Sequence, residues 1–222
     1  MRFTAGLSLR NAGLMLAIAL VCALLMLGVY AISANGIAQQ RAAAEAALWL
    51  ELLPRSAYDN NLLASPVALL PAEAAALGVA PGSPLYIACR QGAPVALLLP
   101  VTSHEGYAGP IELLVGIYVD GRIAGVRVRA HQETPGMGDK IDIQHSPWIL
   151  SFNGRSLQLP SIDRWRVKAD GGAFDQFAGA TITPRAVVKS VKIAQEFIAA
   201  QQTTLLARFQ TAPANPLQQA PP

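Results

Sequence analysis

The chain has 222 residues, 52% of them hydrophobic and only 14% charged, which is apolar for a wholly soluble protein. That length accommodates one membrane anchor and one domain of ordinary size. The formal charge is +3, but Arg2 and Arg10 precede the first apolar run and all 14 acidic residues follow it; the other 15 of the 17 basic residues nearly balance them, which excludes the concentrated basic patch of a nucleic-acid surface.

No charged residue lies between Arg10 and Arg41. Residues 12–34, mostly Leu, Ile, Val, Ala and Met, span about 35 Å as a helix, enough to cross a bilayer. Small residues around Ala31 and Ala34 also suit a cleaved signal peptide, but the stretch exceeds an ordinary signal core, which favours an uncleaved anchor. Arg2 and Arg10 lie ahead of it, and only Arg41 follows closely, near Glu45. The positive-inside rule therefore places residues 1–11 in the cytoplasm and the rest outside the membrane, in the periplasm of a Gram-negative cell. Cys22 lies inside this run, so no internal disulfide with Cys89 is expected. The chain has no Cys-x-x-Cys, which removes zinc ribbons, ferredoxin-type clusters and thioredoxin chemistry.

Residues 35–82 read as a connector with helical segments. Arg41 to Leu53 is rich in Ala and Leu and stops at Pro54; Ala72 to Leu77 is a short helix ended by Gly78. Strands follow. Leu85 to Arg90, the pair Gln91-Gly92, and Val95 to Leu99 resemble a hairpin. The stronger hairpin runs Ile111 to Val119, turns at Asp120-Gly121, and returns over Arg122 to Arg129. Gly116 and Gly125 mark bulges or the close approach of another group.

His131-Gln-Glu133-Thr134-Pro-Gly136-Met-Gly138-Asp-Lys140 reads as a loop, because Pro-Gly and a second Gly disfavour regular structure. Trp165 to Lys168 is strand-like, and Asp170-Gly171-Gly172 is a turn. Thr183-Pro184 reads as a helix start, with Thr183 as N-cap and Pro184 at the first helical position. Val187, Val188, Val191, Ala194 and Ile198 then recur at helical spacing, so a helix with one apolar face runs from Arg185 to about Ala200. The tail, residues 211–222, has prolines among Ala and Gln and no core-forming pattern; it reads as disordered. The domain class is α+β, an antiparallel sheet with flanking helices behind a single N-terminal transmembrane helix.

Two stretches offer chemistry. In Asp175-Gln-Phe-Ala-Gly179-Ala180-Thr181-Ile-Thr183, Thr181 sits on a small-residue turn beside a helix N-terminus, whose free N–H groups and dipole favour a phosphate. The competing reading is a plain N-cap. In the loop around Glu133, Gly136 and Gly138 let a flat ring approach the backbone, whose N–H groups suit a carbonyl-rich ring edge. Glu133 and Thr134 add polar contacts, and Lys140 adds a positive charge that favours an anionic form of such a ring. The competing reading is a surface turn. His104, His131 and His145 have no metal-ligand spacing. No Gly-x-Ser-x-Gly or Gly-x-Gly-x-x-Gly occurs, so neither a serine-hydrolase elbow nor a dinucleotide fingerprint is present.

The first stretch resembles the flavinylation motif Asp-x-x-Ser/Thr-Gly-Ala-Thr of FMN-binding subunits, with Ala178 where Ser or Thr is usual. The second is similar to the His-x-Glu-Thr-Pro-Gly-Leu-Gly loop of the G subunit of Rnf (Rsx) electron-transport complexes, with Met137 for Leu. Gly106-Tyr107-Ala-Gly109-Pro110-Ile111, Trp148 and Phe152 extend the likeness. The resemblance implies that residues 83–210 form an FMN-binding domain and that a flavin transferase attaches FMN from FAD to Thr181 as a phosphoester. It implies a ring near Glu133, Thr134, Gly136 and Gly138, and a phosphate held by Gly179, Ala180, Thr181 and Thr183, with Asp175 positioning the acceptor or a metal during modification. The implied partners are the other Rnf subunits, in an inner-membrane complex linking ferredoxin and NAD redox chemistry to ion movement. The C subunit of the sodium-pumping NADH:quinone reductase is a related alternative. An anchored periplasmic binding or sensor module without a redox cofactor is another, and it leaves the Asp175–Thr183 motif unexplained.

Overall fold

The computed structural model describes residues 3–211; the expected disordered tail lies, from residue 212, outside them. Two compact units divide at Glu45 and Ala46. Helix α1 (Phe3–Glu51) supplies the described part of the first unit, and its residues 46–51 belong to the second. Its stretch Ala12–Tyr30 has a mean hydropathy of 2.7 and buries none of its side chains against protein, so it is long and apolar enough to cross a membrane. The separate helix expected over Arg41 to Leu53 is the C-terminal part of this one helix, which ends at Glu51 rather than at Pro54.

The second unit is built on one antiparallel sheet in sequence order: β1 (Val67–Ala68), β2 (Pro84–Arg90), β3 (Ala93–Ser103), β4 (Ile111–Tyr118) and β5 (Ile123–Ala130). Helix α2 (Pro71–Leu77) lies between β1 and β2, and α3 (Ile182–Thr211) closes the described chain. Both expected hairpins are present. At the first, Gln91 and Gly92 have φ of 52° and 77°, the two left-handed residues a tight hairpin needs. At the second, Gly121 takes φ 86°, and Asp120 bonds both the amide and the guanidinium of Arg122.

Side chains alternate across the sheet and build two cores. Leu97, Leu99, Val101, Leu113, Val115 and Ile117 point to the face covered by α3, where Val187, Val188, Val191, Ala194 and Ile198 are buried. Ala96, Leu98 and Leu114 point to the other face, covered by Trp49, Leu52, Leu53, Tyr58 and Leu62. Gly116 and Gly125 are paired across β4 and β5 at a register shift. A Cβ at Gly125 would stand 2.9 Å from the Leu52 carbonyl oxygen, so both sequence readings of these glycines hold: a bulge and a close approach. Arg127 tightens the same junction by donating to the side chain and the carbonyl of Glu51.

Two further sequence expectations need correction. Trp165 to Lys168 is not a strand. Val167 makes one isolated bridge to Phe174, and the chain doubles back through Asp170-Gly171-Gly172, with Gly172 packed so tightly on Arg166 that no side chain fits. Helix α3 starts at Ile182 and runs to Thr211. It continues past Ala200 because Leu205 is fully buried and Arg208 pairs with Glu73, its Nη1 donating to both carboxylate oxygens.

Candidate functional site

The loop after β5 and the N-terminus of α3 meet over one cleft of about 360 Å³, within the size range of small-ligand sites. Its lining is Tyr107, Glu133, Thr134, Met137, Gly138 and the continuous run Gly179 to Thr183. The two stretches singled out in the sequence therefore form a single site, although about forty residues of chain separate them.

An aromatic cluster holds the stretch that begins at Asp175 in place. Trp148 packs edge-on against Phe152 and Phe177, and Phe152 stacks on Phe174 with ring centres 4.7 Å apart. The Trp148 indole N–H donates to the Asp175 carbonyl at 2.9 Å. Beyond this anchor the Ala180 amide donates to the Phe177 carbonyl at 3.1 Å, closing a turn with Gly179 at φ 78° in its third position. That is a type II turn, whose third residue favours glycine.

The turn delivers Thr181 to the cap position of α3. The Arg185 amide donates to the Thr181 carbonyl at 3.2 Å, the first bond of the helix. The expected cap, Thr183, is instead inside the first turn. Pro184 fits there because the amides of that turn have no intrahelical partner to lose. The two threonines differ sharply. Thr183 is 1% exposed, and its hydroxyl donates to the Glu133 carboxylate. Thr181 is half-buried on the cleft, and among the described residues nothing hydrogen-bonds its hydroxyl. A helix N-terminus beside a free hydroxyl is suited to an anionic ester at that oxygen.

Glu133 ties the site together. Its carboxylate, in a residue only 4% exposed, accepts from Thr183 on one oxygen and from the Ala108 amide at 3.1 Å on the other. Two glycines make room for it. A Cβ at Gly106 would fall 2.9 Å from one carboxylate oxygen, and a Cβ at Gly138 would fall 2.8 Å from the other. Gly138 thus clears space for Glu133 and Thr183, not only for an incoming ring. The expected row of free loop amides is also altered: those of Met137 and Gly138 both donate to the Thr134 carbonyl at 3.1 Å.

Gly136, Lys140 and Asp175 lie off the cleft lining. Gly136 takes φ 77° in open space, Lys140 is exposed, and the Asp175 carboxylate pairs with Lys168 at 2.5 Å. Tyr107, Met137 and Ile182 line the cleft and were not singled out as ligand contacts in the sequence; Tyr107 was legible only as part of the Gly106–Ile111 likeness. At the outer side of α3, Arg185 grips Asp170 with two bonds of 2.6 and 2.8 Å. The side-chain bond from Arg185 holds the Asp170 carboxyl below its ordinary range. No cluster of metal-ligating side chains occurs among the described residues.

Fold and site define a class: a domain that matches the FMN-binding domain family over residues 106–196, behind an N-terminal helix that matches the RnfG N-terminal region over residues 7–52. Relatives narrow it. The G subunit of the ion-translocating oxidoreductase complex of Vibrio atlanticus (strain LGP32) is 43% identical over 203 residues, covering 90% of this chain and 95% of that one. The protein of the same description from Pseudomonas aeruginosa (strain UCBPP-PA14) is 45% identical over 199 residues, covering 90% and 92%. A crystal structure of Shewanella oneidensis NqrC aligns at 22% identity with a TM-score of 0.46, covering 69% of this chain and 73% of that one. The chain belongs to the family of G subunits of ion-translocating oxidoreductase complexes.

Proposed function

We propose that this chain is a membrane-anchored electron-transfer subunit of an ion-translocating oxidoreductase complex, carrying FMN in the cleft as a phosphoester of Thr181. The observation that carries the reading is the contrast between the two threonines. The Thr181 hydroxyl is unengaged beside the start of α3, whereas that of Thr183 is buried on Glu133. The residues fit the cofactor. The Gly179-Ala180 turn leaves the backbone uncrowded for a phosphate, the first-turn amides of α3 suit its charge, and the apolar side chains of Tyr107, Met137 and Ile182 suit a planar ring.

Attachment is assigned to a flavin transferase using FAD. The Thr181 oxygen bonds the phosphorus on the FMN side of the pyrophosphate, the bond to AMP breaks, AMP leaves, and the hydroxyl proton passes to a base of the transferase. Bound FMN supplies one- and two-electron transfer. The chain's part is to hold it: Thr181 by the ester, Gly179 and Ala180 by leaving room, and Glu133 by fixing the loop and helix around it. Ala12–Tyr30 anchors the domain, and the arginines ahead of it favour a cytoplasmic N-terminus with the domain on the periplasmic face of the inner membrane. The other complex subunits are the electron donors and acceptors, and ion transport is a property of the whole assembly.

The test is intact mass and in-gel fluorescence of the chain produced together with a flavin transferase. The expected result is a gain of FMN less one water, localised between Asp175 and Arg185 and lost in Thr181→Ala. An unmodified wild-type chain would overturn the covalent reading.

A further inference from the structure

We propose that Tyr107 is the residue against which the flavin ring stacks, an inference that rests on the FMN reading above. The cleft offers few groups to a planar ligand. Glu133 is not one of them, since both its oxygens are taken and it is nearly excluded from solvent. The amides of Met137 and Gly138 are turned onto Thr134. The exposed apolar lining is Tyr107, Met137 and Ile182, at 70%, 43% and 45%. Only Tyr107 presents a flat face. Among the described residues its ring has no aromatic partner and its phenol no hydrogen bond, so the side chain gains nothing from the protein in return for its exposure.

Its backbone, by contrast, is fixed. Gly106 cannot carry a side chain, because a Cβ would stand 2.2 Å from the Gly109 carbonyl oxygen. Ala108, the next residue, donates to Glu133. The tyrosine is thus a free aromatic plate on a rigid turn, at the edge of the cleft that also holds Thr181. Aromatic rings stack favourably at offset geometry, and a tyrosine keeps its polar tip in water while its body covers an apolar ligand.

A stacked tyrosine quenches flavin fluorescence: the excited flavin takes one electron from the phenol ring and returns it, with no net reaction. The experiment compares full-length wild type, Tyr107→Leu and Tyr107→Trp, each made with the transferase and checked for the added FMN mass. Tyr107→Leu is expected to keep the mass and gain severalfold in flavin fluorescence with a longer lifetime, while Tyr107→Trp stays quenched. Unchanged fluorescence and absorption in a fully flavinylated Tyr107→Leu chain would overturn the stacking and leave the FMN reading intact. A wild-type chain without the added mass would overturn both. Because Tyr107 is exposed, Tyr107→Leu is expected to melt like wild type.

Discussion

The Thr183 hydroxyl donates to the Glu133 carboxylate across fifty residues of chain, at a point from which water is excluded. With the Ala108 amide on the other oxygen, three segments converge on one side chain: the turn before β4, the loop after β5 and the first turn of α3. A buried carboxylate is tolerated only when its oxygens are bonded, and a donor left without it carries its own desolvation cost. Glu133→Ala strands one buried donor, the Thr183 hydroxyl, and releases the amide of the exposed Ala108; it is expected to lower unfolding free energy by about 2 kcal/mol. Glu133→Gln keeps one acceptor oxygen and is expected to lose about half as much. Urea unfolding of the full chain in detergent, followed by tryptophan fluorescence, measures both. An alanine variant as stable as wild type would show that these bonds do not set the geometry of the site.

Gly138 and Gly136 separate packing from backbone conformation. At Gly138 an added Cβ meets the Glu133 carboxylate and the Thr183 hydroxyl, both within 2.9 Å, and neither can retreat into solvent. Gly136 has open space but a left-handed φ of 77°. Gly136→Ala should therefore cost about 1 kcal/mol, the ordinary penalty for a left-handed alanine. Gly138→Ala should cost more and also reduce flavin incorporation, because it pushes on the turn that follows Thr181. Melting temperatures and the added-mass fraction of the two variants provide the comparison; equal behaviour would contradict it.

Much of this was legible in the sequence because it was local. Gln91-Gly92 and Asp120-Gly121 marked hairpins through the backbone conformations they favour. The apolar spacing from Val187 to Ile198 marked the face of α3 on the sheet. The start of α3 was misplaced because Thr183-Pro184 satisfies the same local rules as a cap followed by a first helical residue. What moved the start to Ile182 is long-range: Thr183 is held by Glu133, leaving Thr181 to cap. The segment from Trp165 to Lys168 has the composition of a strand, but Trp165 and Val167 bury in an aromatic cluster with no neighbouring strand to extend. The loop motif announced Glu133 without announcing its partners, since nothing local says that its carboxylate faces Thr183. Lys140 showed the reverse, a charged residue inside the motif that lies off the cleft.

Gly125 reports on the junction between the end of α1 and the sheet. A Cβ there would lie 2.9 Å from the Leu52 carbonyl oxygen and 3.3 Å from its Cα, both backbone atoms that cannot swing aside. Gly125→Ala is expected to displace the Trp49–Leu53 segment and cost about 2 kcal/mol, in the range for overpacking a tight contact. Proteolysis should then cut near Pro54 sooner than in wild type. A protease pattern unchanged from wild type would mean that the sheet bulge at Gly116 absorbs the strain instead.

The pair of Asp170 and Arg185 gives the helix that carries Thr181 a dependence on pH whose direction follows from the titration. The Arg185 side-chain bond lowers the folded carboxyl below its ordinary value, so the folded state holds the ionised form more strongly than the unfolded chain does. The contribution is complete above the unfolded value, about 3.9, and is lost as pH falls through the lower folded one. Asp170→Asn should therefore lower the melting temperature by a constant, small amount at neutral pH, the difference closing only in acid. Both partners are exposed, so solvent and salt screen the interaction, and added salt should shrink the difference at neutral pH. Parallel melts of the two chains from neutral to acidic pH test this directly. A gap that stays open well below the ordinary carboxylate range would assign the effect of the substitution to something other than the charge on Asp170.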